Sequence, residues 1–139
     1  MRSGSNQSDK YNLSKLLEIL IVRELAPAMT ASTRPQVILN TLTPGFCQSE
    51  LMGHATFPLN FLAWVGRNTI ARTTEMGSRT IVAAAAAGKD SHGIYMEDSK
   101  NGEVSRWVRS PKGAEVQKKV YDELLSILDG IHSGIAKNI

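Results

Sequence analysis

The sequence predicts an α/β fold built on a parallel sheet, and three observations carry that reading. Leu13, Leu16, Leu17, Leu20 and Ile21 recur at helical spacing, whereas Val37-Ile38-Leu39-Asn40-Thr41-Leu42 is an apolar run without two-residue alternation. A strand of the second kind is one covered on both faces, the pattern of parallel sheets. The third observation is that a further helix pattern separates this run from a second short strand candidate, Gly93-Ile94-Tyr95-Met96. Helix, strand, helix, strand in that order makes a right-handed crossover, and ligands of such sheets bind beyond the carboxyl ends of the strands.

The elements follow in order. Residues 1–8 form a Ser/Gly/Asn/Gln cluster and are expected to be a disordered polar leader. Asp9 offers an N-cap for a helix over 9–26, with Pro27 discouraging continuation. Met29 to Arg34 reads as a loop. The buried parallel strand is placed at 36–43 and ends at Pro44-Gly45, which would lie at the mouth of the sheet. Residues 53–71 mix Phe57, Leu59, Phe61, Leu62, Trp64 and Val65 with Pro and Gly and read from composition as a satellite packing helix. Thr73 or Thr74 caps a helix over 73–88, in which Ala83 to Ala87 gives high helix propensity and a thin surface. The strand at 93–96 is expected to be the last of the sheet. Ser110-Pro111 then opens a helix over 111–129 with the apolar stripe Val116, Val120, Leu124, Leu125 and Leu128, stopped by Gly130.

Composition bounds the rest. A chain of 139 residues has the length of one domain. Its 16 basic residues are scattered among 13 acidic ones for a net charge of +3, so no clustered nucleic-acid footprint is present. The single cysteine, Cys47, rules out an internal disulfide and a cysteine-rich zinc site. His54, His92 and His132 lack ligand spacing and read as exposed or locally bonded, so no metal site is expected. Asp90-Ser91-His92 carries the residue types of a hydrolytic triad, but such a triad is defined by geometry and not by adjacency. The polar N-terminus lacks the apolar core of a signal peptide, and no apolar run reaches the length of a membrane span; a cytoplasmic protein is expected.

The chemistry concentrates in Tyr11-Asn12-Leu13-Ser14-Lys15. Residues four apart share a helix face, so the phenol of Tyr11 and the ammonium of Lys15 point into the same space. A cation nearby favours the charged form of a phenol and suits it to general acid or base work. The same spacing is also common on ordinary helix surfaces, where the lysine is solvated and the ring packs.

This Tyr-x-x-x-Lys pair, the helix running from Leu16-Leu17-Glu18 to Val22-Arg23-Glu24-Leu25-Ala26, and Asn40-Thr41-Leu42-Thr43-Pro44-Gly45 after it resemble the short-chain dehydrogenase/reductase family, in particular its retinol-dehydrogenase-like branch as found in fungi. The resemblance covers nearly the whole chain. It implies the C-terminal part of a doubly wound, Rossmann-like sheet over residues 9–139, and an NAD(P)-dependent oxidoreductase that interconverts an alcohol and a ketone or aldehyde. By the same resemblance, Tyr11 would donate a proton to the carbonyl oxygen, and Lys15 would assist it and hydrogen-bond the ribose of NAD or NADP, with NADP favoured. Pro44 and Gly45 would shape the backbone beside the nicotinamide. Ser49 would supply the hydroxyl that contacts the cofactor, where threonine is usual. The family's corresponding insert closes over substrate, so residues 53–71 would cover a small apolar alcohol or carbonyl compound, and the branch suggests secondary metabolism.

The sequence departs from the family pattern in two ways. No G-x-G-x-x-G is present, so the N-terminal dinucleotide-binding half is absent, and no serine upstream of Tyr11 follows a strand that could carry the catalytic hydroxyl. The expectation is a truncated chain, inactive alone. The alternative is a non-catalytic remnant acting as an interaction module, since apolar faces built for a larger sheet favour self-association.

Overall fold

The computed structural model describes residues 7–47 and 71–138. Helix α1 spans Gln7–Ala31, strand β1 Thr41–Thr43, helix α2 Thr74–Ala86, strand β2 Tyr95–Glu97, strand β3 Lys100–Asn101 and helix α3 Pro111–Ile131. The strands form one sheet in the order β1-β2-β3. The pairing of β1 with β2 is parallel, in the register Thr41 to Tyr95, Leu42 to Met96 and Thr43 to Glu97. Parallel neighbours joined through α2 are the crossover the sequence predicts. β3 is an addition to that expectation. It pairs antiparallel with β2 across a two-residue turn whose residues, Asp98 and Ser99, both have positive φ (51° and 63°). Such hairpin turns favour Gly or Asn where φ is positive, so Asp-Ser gives a weak signal in sequence.

Helix α1 begins at Gln7, two residues before the expected cap, and Asp9 stands in its first turn, where a carboxylate still complements the helix N-terminus. It also continues through Pro27 to Ala31, so the expected stop near 26 and loop from 29 are corrected. Pro27 removes one helix hydrogen bond, and the local bonds offset it. The Ala26 carbonyl accepts from the Thr30 hydroxyl at 3.1 Å and faces His92 Nε2 at 3.0 Å, while Ala26 itself is buried. The His92 ring is fixed at both nitrogens. Its Nδ1 accepts the Leu39 N–H at 3.0 Å, so Nε2 carries the hydrogen that goes to Ala26. One imidazole thus ties the end of α1 and the approach to β1 to the turn before β2.

The strand expected over 36–43 is shorter and less buried than the sequence suggests. Val37 and Ile38 are 61% and 42% exposed, and regular pairing is confined to Thr41–Thr43. Backbone bonds extend it slightly, from Gly93 N–H to the Leu39 carbonyl and from Thr41 N–H to Ile94. Among the described residues β1 is an edge strand, with nothing paired to its outer side. An apolar run that lacks alternation needs cover on both faces, and that cover is not found among these residues.

The core lies between α1, α3 and the segment leading into α3. Leu20, Val104 and Val108 are buried together, with Leu16, Ile19, Tyr95, Val116 and Val120 closing around them. A polar bridge crosses the same helix interface. The buried amide of Gln117 accepts from Arg23 Nε at 2.8 Å and donates to Glu24 Oε1 at 2.6 Å. Buried amides persist when both ends are satisfied. The caps of α2 and α3 follow the sequence reading. The Thr73 hydroxyl accepts from the Met76 N–H, and the Ser110 hydroxyl accepts from the Gly113 N–H, with Pro111 in the first turn. α2 ends at Ala86, short of Gly88, while α3 runs past Gly130 to Ile131; the left-handed glycine that follows it is Gly134, at φ 80°.

Candidate functional site

α1 and the strands run in opposite senses, because the C-terminal end of α1 meets His92 and Gly93, just before β2 begins. The N-terminal end of α1 therefore lies towards the strand C-termini. From Ala26 back to Tyr11 the helix covers about 22 Å at ~1.5 Å per residue, whereas Gly93 to Glu97 covers about 13 Å at ~3.3 Å per residue. The N-terminal half of α1, with Tyr11 and Lys15, accordingly lies towards the end of the sheet where Pro44 and Gly45 follow β1.

Both side chains lie on one exposed face. The Lys15 ammonium is 5.8 Å from the centre of the Tyr11 ring, and Tyr11 is 48% exposed. Lys15 is also held by Glu18, with Nζ donating to Oε1 at 2.8 Å, and that carboxylate raises the lysine pKa above its ordinary value. An exposed pair three residues apart contributes only a few tenths of a kcal/mol, roughly, so a ligand hydroxyl can compete for the ammonium. The phenol oxygen makes no hydrogen bond among the described residues.

The Pro44–Cys47 segment is more firmly built. Gly45 has φ 74°, a conformation that a side chain would strain, and its N–H donates to the Thr43 hydroxyl at 3.3 Å. The Cys47 thiol donates to the Pro44 carbonyl at 3.2 Å and fills the space over Gly77 of α2, where a methyl group would overlap the sulfur. Arg72 closes the segment from the other side. Its N–H donates to the Phe46 carbonyl at 2.9 Å, Cys47 and Arg72 form a parallel bridge, and the Arg72 guanidinium lies against Gly45. The chain thus returns at Arg72 to the point it left at Cys47. Arg72 also pairs with Asp98 in the β2–β3 turn, which holds the Asp98 carboxyl below the usual carboxylate range.

Tyr11 and Lys15 are brought together, as are Pro44 and Gly45, at the same end of the sheet; no hydrogen bond or ion pair among the described residues joins the two groups. Ser49, His54 and residues 53–70 of the apolar segment lie outside the described residues. Arg72 and Asp98 are the residues that sequence reading missed. Asp98 sits in a polar connection, and the only cue to its position is the two-residue spacing between Tyr95-Met96-Glu97 and Lys100-Asn101.

Other chemistry-bearing groups are engaged structurally. Ser91 Oγ donates to the Gly88 carbonyl and accepts from Asn40 Nδ2, so with the His92 ring also occupied, Asp90-Ser91-His92 is no triad. Among the described residues no group of three His, Cys, Asp or Glu side chains could hold a metal ion, and no helix is long and apolar enough to cross a membrane. A shallow depression of about 510 Å³ lined by Arg23, Ala26, Pro27, Thr30, Ala31, His92 and Gly93 lies at the opposite end of the strands, away from Tyr11.

Comparison with known proteins identifies relatives of the chain. The chain is 45% identical over 130 residues to a short chain dehydrogenase/reductase of Cryptosporiopsis sp., which covers 94% of this chain and 39% of that protein. It is 37% identical over 139 residues to a short-chain dehydrogenase of Penicillium roqueforti, which covers 96% of this chain and 36% of the relative. The chain therefore spans less than two fifths of the length of the curated relatives it matches. No family model and no solved structure matches it.

Proposed function

The chain is a homologue of fungal short-chain dehydrogenases/reductases along nearly its whole length, and on that premise we propose that it is the C-terminal, proton-donating part of an NAD(P)-dependent oxidoreductase interconverting an alcohol and a ketone or aldehyde. One observation carries the proposal: Tyr11 and Lys15 share an exposed face in the N-terminal half of α1, the helix whose other end meets the start of β2 at His92.

The nicotinamide cofactor of the family supplies or takes up the hydride. Tyr11 donates its phenolic proton to the carbonyl oxygen in reduction and recovers it in oxidation. Lys15, whose ammonium lies 5.8 Å from the centre of the Tyr11 ring, would hydrogen-bond a ribose hydroxyl of the bound cofactor on leaving Glu18. Gly45, at a positive φ and without a side chain, would let backbone line the nicotinamide when the cofactor is bound. The described residues fit the nicotinamide end of the cofactor alone, for none of them forms a glycine-rich strand-to-helix turn for the pyrophosphate. The segment alone is thus expected to bind cofactor weakly, with NADP preferred, and to turn over no substrate.

The test uses the enzyme that carries this segment, assayed with NADH and NADPH against ketones and aldehydes. Tyr11→Phe removes the proton and keeps the ring, so turnover should fall by about 10² to 10⁴. Lys15→Met should impair both turnover and cofactor binding. A wild-type rate in Tyr11→Phe removes Tyr11 from the mechanism. A second reading, a non-catalytic interaction module, is favoured by the outer edge of β1, which is unpaired among the described residues, and by the exposure of Val37 and Ile38. Concentration-dependent self-association with no turnover under any cofactor supports that reading.

A further inference from the structure

We propose that Arg72 and Asp98 form a latch that positions the Pro44–Cys47 turn, fixing it between the hairpin tip and the start of α2. The inference rests on the reading above only in that this turn is the nicotinamide wall; the latch itself is argued from geometry.

Two distant parts of the chain meet on the turn. Arg72 enters α2, and its backbone already holds Phe46 and Cys47, so its side chain emerges beside the turn with little freedom. The guanidinium lies against Gly45, with its atoms 3.5 to 3.8 Å from where a Cβ would stand, and it blocks the outward movement of that backbone. Asp98 supplies the other half. It occupies a positive-φ position in the hairpin turn, which an aspartate adopts only at some cost. From there its carboxylate engages Arg72 Nη1, the nitrogen that is also the guanidinium atom nearest Gly45. With Asp98 neutral in charge, the guanidinium loses the partner that holds it over the glycine. Hairpin β2–β3 thereby acquires a role its small size does not suggest, which is to present one carboxylate to a turn that follows a different strand.

The magnitude decides what kind of device this is. Arg72 and Asp98 side chains are 37% and 58% exposed. An exposed pair holds a local position and does not hold a fold, so a latch of this kind shifts the population of a turn by a small factor. Salt weakens it by screening. The Asp98 carboxyl is already held low, so the charge on both partners persists at neutral pH.

Cys47 reports on the turn directly. It is the only cysteine of the chain, half-buried, with its thiol bonded to the Pro44 carbonyl and packed on Gly77. Its rate of alkylation by N-ethylmaleimide in the intact protein measures how often the segment opens. Asp98→Asn and Arg72→Met should each raise that rate about two- to five-fold, the range open to an exposed pair. The reversed pair Arg72→Asp with Asp98→Arg should return it towards wild type. Raising salt to about 1 M should speed labelling of the wild-type protein and leave Asp98→Asn unchanged. Circular dichroism on each variant separates opening of the turn from unfolding, and the salt series needs no variant at all. Wild-type rates in both single variants, or equal salt response in wild type and Asp98→Asn, overturn the latch. The assay uses neither substrate nor cofactor, so its failure leaves the oxidoreductase reading intact, and failure of the Tyr11→Phe test leaves the latch intact.

Discussion

The α1–α3 interface and the strand-end mouth are built from opposite materials. At the interface, Leu20 is 1% exposed, the apolar contacts are continuous, and the polar atoms of Gln117 are matched on both sides. At the mouth, Tyr11 stands half in solvent, Lys15 rests on a surface carboxylate, and the Pro44–Cys47 turn is held by a few backbone and thiol bonds, a positive-φ glycine and one exposed ion pair. Burial of apolar area stabilises by roughly 25 cal/mol per Å², whereas exposed ion pairs contribute about 0 to 1 kcal/mol. Stability and the candidate chemistry are thus carried by different faces of one helix: α1 anchors the core through Leu16, Ile19 and Leu20 and exposes Tyr11 and Lys15, five residues and one residue before Leu16.

If that division holds, substitutions at the interface should alter stability in proportion to what they expose. Leu20→Ala should have the largest effect, a loss of about 2 to 5 kcal/mol in urea unfolding, since it opens a cavity among Val104, Val108 and their neighbours. A loss under about 1 kcal/mol would mean that Leu20 is not central to the core. Gln117→Ala should come next, at about 1 to 3 kcal/mol, because Arg23 and Glu24 each lose a bond to the buried amide. The two groups can turn partly to water, which keeps this below the cavity mutant. An unchanged unfolding midpoint for Gln117→Ala would show that the bridge is incidental.

Much of this division is legible in the sequence. The period of Leu13, Leu16, Leu17, Leu20 and Ile21 locates α1, and Ser110-Pro111 locates the start of α3, because helix periodicity and capping are local signals. Parallel pairing of β1 with β2 follows from the helix between them. What escapes the sequence is what depends on contacts far along the chain. Pro27 is passed because Ala26 is packed and bonded by His92, 66 residues away. Val37 and Ile38 have the composition of a buried strand and stand exposed, because composition records the cover a strand is suited to and not whether the described residues supply it. The Asp98-Ser99 turn has no glycine to announce it, so β3 and the pairing with Arg72 emerge only in three dimensions. The Tyr11–Lys15 pair is visible from its spacing alone, whereas the Glu18 contact that engages the lysine depends on a side-chain conformation that spacing does not determine.

The smallest effect on stability should come from the residue with the largest proposed effect on rate. Tyr11→Phe deletes one oxygen that makes no hydrogen bond among the described residues, on a side chain 48% exposed. The ring stays, so the apolar contacts it makes with the helix surface stay, and Phe and Tyr differ little in helix propensity. Lys15 keeps its bond to Glu18 and an aromatic face 5.8 Å from its ammonium. Surface changes of this kind fall within about 0.5 kcal/mol of wild type. Urea unfolding of Tyr11→Phe should therefore superimpose on that of the unaltered protein within that margin. A loss above about 1 kcal/mol would show that the phenol oxygen is satisfied in the folded protein and is part of its scaffold, and the contrast between a stabilising interface and a chemically active mouth would fail at the residue on which it most depends.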